Sequence, residues 1–330
     1  MDLTVVVPTL NGRDRLAACL DALAAHAPDA EVVVANGPSA DGTTGMVRDR
    51  DDVDVLVEIS DRTVNVARNA GIEVASGDAI ALVDYDVRIG DSWRTAVAAG
   101  LETADVVTGP VSSIEPRSAG EESGSDGSDE PAESDGSDGP EGPEGLDGPE
   151  RRTIAGREVT YFRGGNVAFR AEALRDLDGF DEYLRTGGAR DAAHRLARLD
   201  RSVTWREDLA VTRELPSPTA ADGGRTASEW GWKYRALAYR LLKNYGIRPT
   251  VVGRTGSHAL KDAIGAAGDV AKGESTPSRW AATGRDVLVG VLGGGSDGLV
   301  ARRRDRSPAR NPNGISKRAD RAVAKYDERE

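Results

Sequence analysis

Short, nearly unbroken apolar runs alternate with helical patterning through the N-terminal third of this chain, and that alternation constrains the fold more than any other feature. Residues 3–7, 32–35, 53–58, Ala79–Val83 and 106–111 are such runs. Apolar stretches of this length, bounded by turn residues, read as strands buried on both faces. Between them, Arg13–His26 sets Leu16, Cys19, Leu20 and Leu23 on one helical face. Helical periodicity returns at residues 43–50, 65–75 and 93–102. Strand and helix taking turns in this way predict an α/β fold: a Rossmann-like, mainly parallel sheet flanked by helices.

The pattern stops at residues 117–150, which are nearly all Gly, Ser, Pro, Asp, Glu and Ala, with Leu146 the one large apolar side chain. Such a segment cannot bury enough surface to offset its ordering entropy, so a disordered acidic insertion is expected. Patterned sequence resumes with an extended run at 158–163, helices at 171–177 and 191–199, a strand at 203–205 and a long helix at 228–245. The expected layout is two halves of one α/β domain at 1–116 and 151–215, a helical extension at 216–301, and a basic, mobile tail at 302–330.

Composition removes several classes. The net charge of -12 leaves no basic field to attract nucleic acid. One cysteine, Cys19, excludes an internal disulfide framework and a cysteine-based zinc site, and three dispersed histidines argue against a histidine-rich metal centre. Only six of the 43 basic residues are lysine, against 55 acidic ones, a balance that resembles proteins of extreme halophiles. No secretory pattern opens the chain and no apolar run is long enough to span a bilayer. A cytoplasmic protein is expected, free or peripheral on the inner face of the plasma membrane.

Chemistry enters at Asp84-Tyr85-Asp86, immediately after the run Ala79–Val83. Ligands collect at the carboxyl ends of strands in open α/β sheets, and two hard oxygen ligands suit a divalent cation carrying phosphates. A solvated strand end is the plain alternative. Four segments in register then resemble the family 2 inverting glycosyltransferases of the GT-A fold. They are Val5-Val6-Val7-Pro8-Thr9-Leu10-Asn11, Asn65-Val66-Ala67-Arg68-Asn69-Ala70-Gly71, Asp84-Tyr85-Asp86, and Gly164-Gly165-Asn166-Val167-Ala168-Phe169 with Gly179-Phe180-Asp181-Glu182. The resemblance spans roughly residues 1–210 without the acidic insertion, and four motifs in order are far more specific than any one.

The resemblance implies a nucleoside-diphosphate sugar donor, Mg²⁺ or Mn²⁺, and a polyprenyl- or dolichyl-phosphate-linked or glycan acceptor in cell-surface glycan assembly or protein glycosylation. It implies that Pro8, Thr9 and Asn11 face the base and ribose, that Arg68 approaches the base or diphosphate, that Asp84 contacts ribose and metal, and that Asp86 ligates the metal. Gly165, Asn166, His194 and Trp205 would stand on the acceptor side. Inversion needs a base for the acceptor. The family's acidic pair has become Arg190-Asp191, which leaves Asp191 as that base, with a helix N-cap as its other reading. Asn36 stands where a base-reading carboxylate is usual. Asn11 as a turn residue and Arg68 as a surface ion pair are the bland readings.

Residues 228–245 hold five of the fifteen aromatic residues, and Trp230, Tyr234, Leu237, Leu241 and Tyr245 share one face. Two readings stand: packing against the sheet, or a helix lying in a membrane interface beside its basic neighbours. Residues 279–304, with an apolar stretch and terminal arginines, would be a second interfacial segment. A nucleotidyltransferase-like enzyme is a rival function, although residues 8–12 lack the Gly-rich basic loop it needs. A degenerate binding or scaffold protein of the same fold is another.

Overall fold

The computed structural model describes residues 1–114, 148–214, 227–250, 253, 276–305, 307 and 309–329; of the expected acidic insertion, residues 115–147 lie outside them. The chain runs β1 (Leu3–Thr9), α1 (Arg13–His26), β2 (Glu31–Asn36), α2 (Thr43–Arg48), β3 (Val55–Ile59), α3 (Val64–Val74) and β4 (Ala79–Val83). There follow β5 (Val87–Ile89), α4 (Trp93–Thr103), β6 (Val106–Thr108), β7 (Val111–Ile114), β8 (Arg151–Ile154), β9 (Arg157–Thr160), β10 (Asn166–Arg170), α5 (Ala171–Leu177) and α6 (Gly188–Arg198). The last described elements are β11 (Val203–Trp205), β12 (Val211–Glu214), α7 (Ala227–Tyr245), α8 (Pro277–Arg304) and β13 (Ala322–Asp327).

Among the described residues, eight strands form one sheet in the order β11-β6-β10-β4-β1-β2-β3-β13. The parallel pairs β1–β2, β1–β4 and β2–β3 give the expected doubly wound core. Strict alternation along β1 feeds two layers: Val5 and Val7 pack with α1 residues such as Leu16 and Leu20, while Val6 packs with Val66 and Ala70 of α3. β10 enters antiparallel, so its first residue, Asn166, lies opposite Val83 at the carboxyl end of β4. That reversal brings two motifs, distant in sequence, to one edge of the sheet. The run expected as a single strand at 106–111 breaks at Gly109-Pro110, where proline has no N–H for the ladder. Beyond the break, β7 joins β12 and β5 in a separate three-stranded sheet.

Of the aromatic face of α7, Tyr234 and Tyr245 belong to the core, while the Trp230 side chain lies outside the described residues. Tyr234, Leu237 and Leu241 are buried in the same cluster as the sheet's inner face. The burial settles the choice for this helix in favour of packing. α8 lies against α7 through glycines: a Cβ on Gly290, Gly294 or Gly298 would meet the carbonyl oxygen of Gly231, Arg235 or Tyr239 at 2.2, 2.0 or 2.5 Å. Backbone therefore touches backbone; Val287 and Val291 pack against the core, while Leu288 and Leu292 turn outward, 65% and 72% exposed. No described helix is long and apolar enough to cross a membrane.

The described residues of 302–330 pack against the domain where a mobile tail is expected. β13 pairs antiparallel with β3 as an edge strand. Arg321 is fully buried, donating to Glu182 Oε1 at 2.5 Å, Glu73 Oε1 at 2.7 Å and the Gly314 carbonyl at 3.0 Å. The segment is anchored by charge and hydrogen bonds, which an apolar count does not register.

Candidate active site

A cavity of about 700 Å³ opens at the carboxyl ends of β1, β3 and β4. Pro8, Thr9, Leu10, Gly37 and Asp61 line one end, and Tyr161, Arg163, Arg190 and Trp205 the other, with Asp84 and Asp86 also in the wall. Six arginines line it (62, 68, 163, 185, 190 and 213) against four carboxylates, Asp61, Asp84, Asp86 and Glu150. A local excess of positive charge within a chain of net charge -12 marks a site for an anion.

At the first end Pro8 and Thr9 line the cavity, and the buried Thr9 and Thr63 hydroxyls make no hydrogen bond among the described residues. Two expected contributors do not line the cavity. Asn11 adopts a left-handed conformation with φ 52°, and its Oδ1 accepts from the Ala40 N–H at 2.8 Å. Asn36 is buried, donating to Thr44 Oγ1 at 2.9 Å and accepting from Ser39 Oγ at 2.7 Å. Both amides brace the loop after β2, and the carboxylate facing this end is Asp61, which Arg318 contacts at 2.9 Å.

The carboxylate pair is gripped by cations. Arg68 Nη2 lies 3.1 Å from Asp84 Oδ1, and Arg213 Nη2 lies 2.9 Å from Asp84 Oδ2. Arg213 Nε reaches Asp86 Oδ1 at 3.5 Å, and Arg15 stands 4.0 Å from Asp86 Oδ2. Burial raises the Asp86 carboxyl above the ordinary aspartate range; Arg213 opposes the rise and Asp84 adds to it. A carboxylate destabilised in this way gains most from an added cation. Among the described residues no three or more His, Cys, Asp or Glu side chains cluster as a metal cage. Two carboxylates in the wall of this arginine-rich cavity nonetheless fit Mg²⁺ or Mn²⁺, because such ions use one or two protein carboxylates and take further oxygens from substrate phosphates and water.

Backbone geometry explains the flanking glycines. A Cβ on Gly164 would lie 2.7 Å from the Arg68 guanidinium, and one on Gly165 would lie 2.1 Å from Asp84 Oδ2. Gly165 also accepts the Asp84 N–H at 3.2 Å, so its role is to hold the aspartate from behind. Asn166 is likewise a bolt and not an acceptor contact: its Oδ1 accepts from Trp93 Nε1 at 3.0 Å and its Nδ2 donates to the Leu209 carbonyl at 2.8 Å. Cys19 lies beneath the pair, its thiol 3.7 Å from the Asp84 carbonyl, with its pKa pushed up by burial. It packs as the sequence suggests and offers no thiolate.

The second end departs most from expectation. Asp191 does not reach the cavity. Its carboxylate is fully buried, accepting from Arg195 Nε at 2.8 Å, Lys243 Nζ at 2.7 Å and Asn244 Nδ2 at 2.9 Å. Burial acts to raise its pKa, but Lys243 and Arg195 outweigh that and hold it below the ordinary range. A fully buried carboxylate held by three protein donors, with no face on the cavity, cannot take a proton from an acceptor there. His194 is also buried, with Nδ1 2.7 Å from the Tyr245 hydroxyl and Nε2 3.4 Å from that of Tyr161. Trp205 does line the cavity, and its buried indole N–H has no hydrogen-bond partner among the described residues.

Sequence reading missed Arg213, Asp61, Arg163 and Glu150. Arg213 arrives on β12, paired with β5 and β7 in the second sheet. Its sequence neighbourhood carries no motif, and only the pairing of β12 brings it to the aspartates. The second and fourth motifs, by contrast, meet through hydrogen bonds that single residues could have suggested. Asn65 donates to the carbonyls of Asp181 at 3.1 Å and Leu184 at 2.8 Å, and Asn69 donates to that of Phe180 at 2.9 Å.

Comparison with known proteins gives the family and the fold. The sequence profile of the family described as Glycosyl transferase family 2 matches residues 4–178. Glycosyltransferase AglE of Haloferax volcanii is 31% identical over 98 residues, a match covering 28% of this chain and 32% of that protein. S. aureus TarS 1–349, solved in complex with UDP-GlcNAc, superposes with a TM-score of 0.52 at 18% identity, covering 74% of this chain and 68% of that one. The mannosyltransferase PcManGT from Pyrobaculum calidifontis, solved with GDP-Man and Mn²⁺, gives 0.51 at 16% identity, covering 89% and 86%.

Proposed function

Because this chain belongs to glycosyl transferase family 2, we propose that it moves a sugar from a nucleoside-diphosphate donor to an acceptor, with inversion at the anomeric carbon. The observation that carries the reading is the Asp84–Asp86 pair, gripped by Arg68 and Arg213 in the wall of a cavity rich in arginine. In this reading the nucleoside lies against Pro8, Thr9 and Asp61. The diphosphate draws Arg68 and Arg213 toward itself, since a guanidinium can pair as well with phosphate as with carboxylate. Asp84 and Asp86 would hold Mg²⁺ or Mn²⁺, which when bound neutralises charge on the departing diphosphate. The sugar then faces Trp205 and Arg163, where the acceptor enters. That acceptor is a glycan hydroxyl or a polyprenyl- or dolichyl-phosphate-linked lipid, in cell-surface glycan assembly or protein glycosylation.

Contact with a lipid surface is part of the proposal. Leu288, Val289, Leu292 and Val300 are exposed on α8, with Arg285, Arg303 and Arg304 exposed on the same helix. Apolar and basic side chains together suit an anionic bilayer interface. α7, whose Tyr234 and Tyr245 are buried, plays no part in it.

The test is release of nucleoside diphosphate from a panel of UDP- and GDP-sugars with Mn²⁺, beginning with UDP-GlcNAc and GDP-Man. Cation-dependent release that disappears in Asp86→Ala supports the reading. Release of pyrophosphate would favour a nucleotidyltransferase instead, and donor binding without turnover a scaffold.

A further inference from the structure

The burial of Asp191 leaves the acceptor end without its expected base, and one side chain there can replace it. We propose that Glu150 is the general base that deprotonates the acceptor, an inference that rests on the glycosyltransferase reading. Of the four carboxylates lining the cavity, Asp84 and Asp86 form the gripped pair and Asp61 stands at the nucleoside end. Glu150 alone among them is surrounded by the acceptor-side residues Tyr161 and Arg190. Its side chain is 27% exposed, partly desolvated yet open to a ligand.

The position is well fixed. Arg190 Nη2 donates to Glu150 Oε2 at 2.9 Å, and Arg152 Nε donates to Oε1 at 3.2 Å. The Glu150 carbonyl accepts the Tyr161 N–H at 2.9 Å, and the Arg190 guanidinium lies 4.6 Å from the centre of the Tyr161 ring. A carboxylate has about four lone-pair sites, so the two guanidinium bonds leave acceptor capacity for a substrate hydroxyl. Burial acts to raise the Glu150 carboxyl, but Arg190 and Arg152 outweigh it and keep it below the ordinary range. The group is thus ionised, as a base must be. The substitution that removed the usual acidic residue at position 190 also supplied the arginine that holds Glu150 here.

The reaction balances simply. The acceptor oxygen forms a bond to the anomeric carbon as the bond from that carbon to the diphosphate oxygen breaks. The acceptor proton passes to Glu150, and the electron pair of the broken bond leaves with the nucleoside diphosphate.

The experiment compares wild type with Glu150→Gln, using UDP- and GDP-sugars with Mn²⁺ and either water or sodium azide as the nucleophile. Azide has no proton to lose. The variant is expected to lose about 10²- to 10⁴-fold in hydrolysis, the usual contribution of a general base, with nucleoside-diphosphate affinity unchanged. Azide should restore most of its diphosphate release, and the sugar should appear as glycosyl azide. Wild-type hydrolysis in the variant overturns the proposal and leaves the functional reading standing. Equal loss with water and azide makes Glu150 a positioning residue and also overturns it. A wild-type chain that binds nucleoside diphosphate but turns over no donor overturns both.

Discussion

Two pairs of aspartates in this molecule, each held by cations, behave in opposite ways. Asp84 and Asp86 have side chains 16% and 19% exposed and open onto the cavity. Asp181 and Asp191 are wholly buried around Lys243. Asp181 also accepts from the Tyr239 hydroxyl at 2.9 Å and Asn313 Nδ2 at 2.9 Å, so its oxygens too are engaged by protein. Residue type and pairing are alike in the two places. What separates them is whether solvent and a ligand can reach an oxygen, and that follows from α7 covering one pair and an open cavity lying beside the other. A carboxylate closed in by protein donors stabilises the fold, whereas one gripped from a single side can exchange its partner for a substrate or cation.

The sharpest way to break this contrast is Asp191→Ala. Removing one member of a buried charge cluster leaves Lys243 and Arg195 undercompensated, at a cost of about 3–5 kcal/mol, read from urea unfolding. The depressed pKa of Asp191 carries a sign. Its contribution is present above the unfolded aspartate pKa of about 3.9 and is lost as pH falls through the lower folded value. Wild-type stability should therefore drop over that acid range, and Asp191→Asn should flatten the drop. Asp86→Asn should do the reverse of Asp191→Ala: transfer falls about 10²- to 10³-fold, as for loss of one electrostatic contact to a developing anion. Its unfolding free energy should stay within about 0.5 kcal/mol of wild type. An Asp191→Ala protein of full stability, or an Asp86→Asn protein that unfolds, would erase the distinction.

How much of this was legible in the sequence depends on the range of the interaction. The strands of the N-terminal sheet were legible because their apolar runs are local, and Asp84-Tyr85-Asp86 was placed correctly because it directly follows β4. The direction of a side chain was not. Asn11 and Asn36 occupy the expected positions but spend their amides on neighbouring loop atoms, a choice set by geometry over a few ångströms. Asp191 meets Lys243 52 positions later, on a helix whose periodic face allows packing against the sheet but does not say which residues it meets. The tail was misjudged because Arg321 anchors it through Glu73 and Glu182. The close seam between α8 and α7 was not legible for a related reason: periodicity treats glycine as missing hydrophobicity, yet Gly290, Gly294 and Gly298 make the tightest approach to α7. Gly294→Ala tests that reading. Its new methyl would meet the Arg235 carbonyl at 2.0 Å, and overpacking of this kind costs about 1–3 kcal/mol, measurable as a lower midpoint of thermal unfolding.

The contrast between closed and open groups extends to apolar faces, where the expected effect is smallest. Leu237 on α7 is buried in the core, whereas Leu288 and Leu292 on α8 face outward because glycine has taken over the packing. Leu237→Ser should therefore destabilise the fold, and the double variant Leu288→Ser/Leu292→Ser should leave it nearly unchanged. If α8 rests in an anionic interface, each of the two leucines contributes on the order of 1 kcal/mol through partial burial. The double variant should then bind phosphatidylglycerol vesicles about 30-fold more weakly, as read by co-sedimentation. Raising the salt should weaken wild-type binding too, because Arg285, Arg303 and Arg304 act through a field that added ions screen. Unchanged vesicle binding in the double variant would show that the outer face of α8 is not the surface that meets lipid.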